Sequence, residues 1–223
     1  MTSRSTDDSG QAFPIYIVVV AGLLFLAFAY FAVGQAGATR NGAQTAADAA
    51  ALAAAQDARE QLRDGWLDVI LDPSRWGEYV DGERYDPSAA CRQAASFAAK
   101  NEATLWGDRC DLLPDREGFS VEVRTLNTVG ASVVPGTEKQ HATATASAVI
   151  EPRCTFEAPE PTPEPEEPSP DPTSPDPTPT PTPTPTEPSP ILGLTCHGVA
   201  WEIDPEDPRL PSATDLFTVR LAD

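Results

Sequence analysis

The first hydrophobic feature of the chain is a run of 21 residues without a charge, from Phe13 to Val33. A bilayer core of about 30 Å is crossed by roughly 20 apolar residues in a helix. The run therefore predicts a transmembrane helix over residues 13–34. The rival interpretation is a cleaved secretory signal, with a small-residue site at residues 36–38. Because the apolar region of such signals usually has about 7–15 residues, the longer run favours a permanent anchor.

An alanine-rich segment, residues 35–64, follows the apolar run and predicts that the helix continues. Alanine is the best helix former, and Gly65 marks the expected end. Small residues recur every four positions, a spacing that lets helix backbones approach closely. One interpretation of the stripe is a face that packs on other copies of the chain or on a partner helix. The alternative, which has equal weight, is that the stripe arises by chance in an alanine-rich helix or packs on the chain's own domain. The positions are Gly34, Ala38, Gly42, Ala46, Ala50 and Ala54.

Helical and strand patterns alternate in the rest of the chain. Apolar residues at helical spacing predict a second helix over Ser88–Leu105. Period-two alternation predicts half-buried strands over Phe119–Leu126 and His141–Ile150. Two further strands are predicted after residue 190, over 191–203 and 216–221. The chain therefore predicts an α+β fold with an antiparallel sheet.

A proline-rich segment, residues 157–190, interrupts this pattern. Fifteen of its 34 residues are proline, and it has eight acids and no base. Such a composition predicts a disordered, extended and solvated spacer. The remaining residues, 191–223, are too few for a stable domain of their own, so we expect them to complete the same sheet. The predicted order begins with a cytoplasmic N-terminus (1–12), the transmembrane helix (13–34) and the alanine-rich helix (35–64). An extracytoplasmic α+β domain (65–156), the spacer (157–190) and the C-terminal strands (191–223) follow.

The net charge of −19, from 34 acidic and 15 basic residues, argues against a nucleic-acid partner. The sequence contains no phosphate loop, no G-x-S-x-G and no H-E-x-x-H motif. Its two histidines, His141 and His197, are far apart. We therefore expect no enzymatic activity, no cofactor and no metal site.

Four widely spaced cysteines in an exported domain indicate two disulfides, for which three connectivities exist. Cys91 lies on the predicted second helix and Cys110 just beyond it, whereas Cys154 and Cys196 flank the spacer. From this placement we predict the pairs Cys91–Cys110 and Cys154–Cys196. The nearby basic residues hardly discriminate the orientation of the anchor. The cysteines and the acidic Pro/Thr tract suit an oxidising exterior, which predicts a cytoplasmic N-terminus and an extracytoplasmic C-terminal domain on the cell membrane.

The segment of about residues 9–58 resembles the N-terminal region of TadG-like and TadE-like proteins of the bacterial tight-adherence (Flp) pilus system. The resemblance rests on a Gly-Gln-Ala start at Gly10, the apolar span and an alanine-rich signature after it. The signature residues are Asp48, Ala49, Ala50, Ala51, Leu52 and Ala53.

Two departures qualify what this resemblance implies. Ile15 stands where peptidase-processed pilins carry glutamate, so we expect an uncleaved anchor. The chain lacks a D-x-S-x-S metal motif, so a small accessory or minor pilin-like protein is implied. The implied function is a membrane-anchored, non-enzymatic component of a Flp/Tad pilus or envelope assembly apparatus. Its implied partners are membrane lipid, other Tad/Flp components and copies of itself through the N-terminal helix. The alternative is a membrane-tethered extracellular binding or sensing module without a pilus role.

Overall fold

A computed structural model describes residues 12–128, 130, 136, 138–157, 190–204 and 209–222. Its longest element is the helix α1, Ala12–Asp68, which contains both the apolar run and the alanine-rich segment. Pro14 lies in the first turn, where the missing N–H costs no hydrogen bond. The helix passes Gly65 by three residues before it ends. The predicted continuation of the anchor into an alanine-rich helix is thus present.

The chain divides into two compact units, and α1 contributes to both. The first unit comprises residues 1–57, 87–149 and 219–223, and the second comprises residues 58–86 and 150–218. The first unit contains the helix α3, Pro87–Lys100, and the strands β1, Ala103–Leu112, and β2, Gly118–Thr128. It also contains most of β3, His141–Pro152. The helix α2, Trp76–Val80, belongs to the second unit.

The first sheet is antiparallel along β1-β2-β3 and has the order β1-β2-β3-β7, where β7 is Phe217–Leu221. The predicted alternation on β2 is confirmed, because Phe119, Val121 and Val123 are all buried. Gly118 has a φ of 151°, and a Cβ there would lie 2.2 Å from the carbonyl oxygen of Ala148. Only glycine therefore lets β2 approach β3 this closely.

The second predicted helix is shorter than expected. It ends at Lys100 rather than at Leu105, because Asn101 donates from its side chain to the carbonyl of Phe97 and Glu102 has a φ of 56°. Residues 103–105 instead begin β1 and pair with β2. The prediction was wrong there because these residues continue the apolar spacing of the helix, while long-range strand pairing decides their conformation.

The second unit contains a 3₁₀ turn at Pro73–Arg75 and the helix α4, Ala213–Leu216. Its core is aromatic. The Trp66 and Trp76 rings lie 5.2 Å apart between centroids, and the Phe156 ring lies 4.8 Å from that of Trp76. The indole Nε1 of Trp76 donates to the carbonyl of Val69. The indole Nε1 of Trp66 is also buried, but it has no hydrogen-bond partner among the described residues.

The expectation of a single sheet is corrected by a second, three-stranded sheet in this unit. Its strands are β4, Cys154–Phe156, β5, Ile191–Cys196, and β6, Val199–Ile203. Only β7 of the C-terminal strands joins the first sheet. The run 191–203, predicted as one strand, turns at His197 and Gly198, both at positive φ, as in the two-residue turns that favour hairpins.

The ends of the Pro/Thr-rich spacer lie on neighbouring strands. Phe156 pairs with Leu194, and the backbone N–H of Glu157 donates to the carbonyl of Gly193 at 3.0 Å. The predicted disorder of the spacer itself falls on residues 158–189, which lie outside the described residues. The spacer is therefore an insertion between two paired strands.

Candidate functional site on the long helix

The first part of α1 exposes a continuous apolar surface. From Phe13 to Val33 its large side chains, except the half-buried Val20, are between 50% and 83% exposed. Among the described residues, α1 is the one helix long and apolar enough to cross a membrane. An apolar surface of this extent is not stable in water. The helix thus fits a single-pass membrane anchor. The exposed side chains are Phe13, Ile15, Tyr16, Ile17, Val18, Val19, Leu23, Leu24, Phe25, Leu26, Phe28, Tyr30, Phe31 and Val33.

The stripe of small residues on α1 is divided into two parts. Gly34, Ala38 and Gly42 are exposed, and a Cβ added at either glycine would meet nothing within 4 Å. Ala50, by contrast, has no exposed surface, and the same holds for the other two members of the distal part, Ala46 and Ala54. We call Gly34, Ala38 and Gly42 the open stripe. Of the six stripe residues, only these three are exposed to another molecule.

The division follows from helix geometry. An α-helix has 3.6 residues per turn, so a spacing of four residues drifts by about 40° per step. From Gly34 to Ala54 the drift adds up to roughly 200°, which places the two ends of the stripe on opposite sides of the helix. One face cannot contain all six positions. The drift is visible in the sequence itself and was missed because neighbouring members of the stripe do share a face.

The family signature lies mostly in the buried part of α1. Ala50, Ala51 and Ala53 are buried, and Asp48 is half-buried with its Oδ1 accepting from Nε2 of Gln44 at 2.8 Å. Small side chains let the helix pack closely within the chain. Ala49 and Leu52, by contrast, are half-buried. Gly10, the first residue of the signature, lies outside the described residues.

An open cavity of about 510 Å³ adjoins this part of α1 in the first unit. Gln44 and Asp48 line it from the helix, and Arg116 and Ser147 line it from the sheet. Its lining residues include no histidine or cysteine. Within the described part of the chain, no group of three or more His, Cys, Asp or Glu residues could hold a metal ion.

The structure contains both predicted disulfides. Cys91–Cys110 joins α3 to β1, with 5.8 Å between the Cα atoms, so Cys110 lies on a strand rather than in a loop. Cys154 and Cys196 are bonded at directly paired positions of β4 and β5. This second bond closes the base of the hairpin that carries the spacer.

One carboxyl in the second unit has a clearly shifted pKa. Asp215 Oδ2 accepts from the hydroxyl of Ser212 at 2.6 Å and from its backbone N–H at 2.8 Å, which lowers the pKa of Asp215. These bonds form a capping box at the start of α4. Arg84 pairs with Glu78, which raises the pKa of the guanidinium. Both shifts stabilise local structure.

A comparison with family models decides what the anchor segment is similar to. Residues 10–57 match the Tad family of Flp pilus-assembly, TadE/G-like proteins. The match confirms the resemblance and covers 48 of the 223 residues. Neither the curated proteins nor the solved structures contain a match to the chain. The TadE/G-like segment thus contains the exposed anchor, the open stripe and the buried alanine signature.

Proposed function

We propose that the protein is a membrane-anchored, non-enzymatic component of a bacterial Flp/Tad pilus or envelope assembly apparatus. One observation carries the proposal: the TadE/G-like match, residues 10–57, coincides with the helix whose apolar surface is exposed. The segment that resembles pilus-assembly proteins is thus the segment that fits a bilayer anchor. The family resemblance is to assembly components, which act through contacts rather than through catalysis.

The open stripe is the surface that we assign to partner binding. It begins at Gly34, directly after the last residue of the apolar run, Val33. Small residues at this spacing let two helix backbones approach closely, so dispersion and weak hydrogen bonds stabilise the pair. The partner is a helix of another assembly subunit or of a second copy of this chain. The buried alanines at 46, 50 and 54 contribute nothing to this contact.

We assign the N-terminus to the cytoplasm and the two folded units to the exterior. Two disulfides in the folded units support this orientation, because disulfides persist in oxidising compartments. The spacer hairpin then also faces the exterior. A membrane-impermeant thiol reagent, applied to intact cells after reduction, tests the orientation. Labelling of the four cysteines is expected in intact cells. Labelling only after lysis would contradict the assigned orientation.

Co-purification tests the function. The full chain with a C-terminal tag is extracted in mild detergent from cells that express the pilus system. Recovery together with the pilus ATPase and platform subunits is expected. A matched pair of variants shows whether recovery of these subunits depends on the open stripe. Ala38→Leu changes the stripe, and Arg40→Leu changes the opposite side of the same turn. A monomer without such subunits would contradict the proposal and support the tethered binding module instead.

A further inference from the structure

The β2–β3 end of the first sheet lies beside α1 just past the apolar run. A Cβ built on Gly130 would lie 3.2 Å from Nε2 of Gln35. A groove of about 250 Å³ is shared by α1 and this end of the sheet. Ala38 lines it from the helix, Glu102 from the turn before β1, and Asn127 from β2. All of these residues belong to the first unit. We call Leu126–Thr128, Gly130 and Lys139 the proximal sheet end.

The height of this end above the bilayer core follows from the helix. The 21-residue apolar run is about 31 Å long at 1.5 Å per residue, which equals the hydrocarbon thickness of about 30 Å. Gln35 is two residues beyond Val33, or about 3 Å farther along the axis. The polar headgroup layer adds roughly 5–7 Å on each side of the core. Gln35, and with it Gly130, therefore lies at headgroup level.

The chemistry of the proximal sheet end suits a membrane interface. The sequence from Thr125 to Thr137 has no charge, in a chain of which 22% of residues are charged. Leu126, near the end of β2, is 55% exposed. Lys139 is exposed, but Glu102 lies at the same end, so the charges do not add up to a basic patch. Apolar contact rather than attraction to anionic lipid is the expected source of affinity.

We propose that the proximal sheet end rests in the lipid headgroup layer and forms a second membrane contact beside the anchor. The inference rests on the anchor assigned under the proposed function. Two contacts hold the first unit against the bilayer and restrict its rotation about the helix. The open stripe, which borders the same groove through Ala38 and Gly42, is thereby presented at a fixed height.

The test uses single-cysteine variants of the full chain in phosphatidylcholine nanodiscs. All four native cysteines are in disulfides, so an introduced cysteine is the sole free thiol. Leu126→Cys and Lys139→Cys report on the proximal sheet end. The matched control is Leu112→Cys, which replaces a leucine that is 50% exposed at the far end of β1. Ala103 and Leu112 pair with Thr125 and Phe119, six residues apart on β2, so the two ends of β1 lie about 20 Å apart at 3.3 Å per residue. Leu23→Cys reports on the anchor. Each thiol is labelled with an environment-sensitive fluorophore.

Quenching by spin-labelled lipids gives distinct outcomes for the two claims. Headgroup-labelled lipid is expected to quench the probes at Leu126 and Lys139 at least threefold more than the probe at Leu112. Acyl-chain-labelled lipid is expected to quench the probe at Leu23. If Leu23 is quenched but either proximal probe responds no more than Leu112, the second contact is refuted and the anchor stands. If Leu23 is not quenched, the anchor fails and the second contact fails with it.

Discussion

The division of the small-residue stripe makes a specific prediction for leucine substitutions on α1. Ala50→Leu adds three carbon atoms at a position with no exposed surface. Its helical neighbours Ala46, Ala47 and Ala54 are equally buried, so the added atoms extend into the interior of the chain rather than into solvent. Overpacking of a close-packed site costs about 1–3 kcal/mol. Ala38→Leu extends instead into an open groove and is expected to change stability by less than about 0.5 kcal/mol.

Thermal unfolding in nanodiscs measures the difference. For a chain of this size, about 1 kcal/mol lowers the Tm by roughly 2–4 °C, so Ala50→Leu is expected to lower it by roughly 2–12 °C. Ala38→Leu is expected to leave the Tm within about 2 °C of wild type. Far-UV circular dichroism follows the transition, and Ala50→Ser controls for substitution without added bulk. Equal Tm losses for Ala38→Leu and Ala50→Leu, or no loss for Ala50→Leu, would refute the division of the stripe.

Two further predictions concern the second unit. Gly65→Ala places a Cβ 2.3 Å from Cε1 of the buried Tyr79 ring, and the free energy of unfolding in urea is expected to fall by about 1–3 kcal/mol. In a Tyr79→Leu background the same substitution is expected to cost much less, and equal costs in the two backgrounds would contradict this contact. Ser212 lowers the pKa of Asp215 in the folded state, so the unfolded state binds the proton of this carboxyl more tightly. The stability that the ionised Asp215 contributes is therefore complete above the ordinary carboxyl pKa, and it is lost as pH falls through the folded pKa. Ser212→Ala is expected to lower the free energy of unfolding by about 1 kcal/mol at pH 7 and to weaken its dependence on pH in the acid range. The control Asp111→Asn, on the surface of β1, should preserve that pH dependence. An unchanged pH dependence in Ser212→Ala would contradict the assignment.

Local patterns in the sequence are sufficient to predict those helices and strands that are determined by interactions within one segment of the chain. The apolar run and the alanine content predict α1, because both helix propensity and burial in lipid act within one segment. The alternation around Phe119 and Val121 predicts β2, because one face of the strand is buried. The cysteine pairs follow from their places beside the second helix and the spacer.

Features that depend on long-range pairing could not be predicted from the sequence. Residues 103–105 fit either a helix or a strand, and pairing with β2 decides between them. The second sheet arises because β5 pairs with β4 at Cys154 and Cys196, a contact across the spacer insertion. The partition of the candidate site into an open stripe and a buried alanine face likewise requires knowing which side of α1 the rest of the chain covers.

Site-specific photo-crosslinking in living cells tests most directly whether the open stripe binds assembly partners. A photoreactive amino acid is placed at Ala38, and in a matched strain at Arg40, which lies about 200° around the same helix turn. We predict ultraviolet-dependent adducts at Ala38 that contain a Flp/Tad assembly subunit or a second copy of the chain, and at least fivefold less of them at Arg40. Only uncrosslinked chain at Ala38, or equal adducts at both positions, would contradict the account.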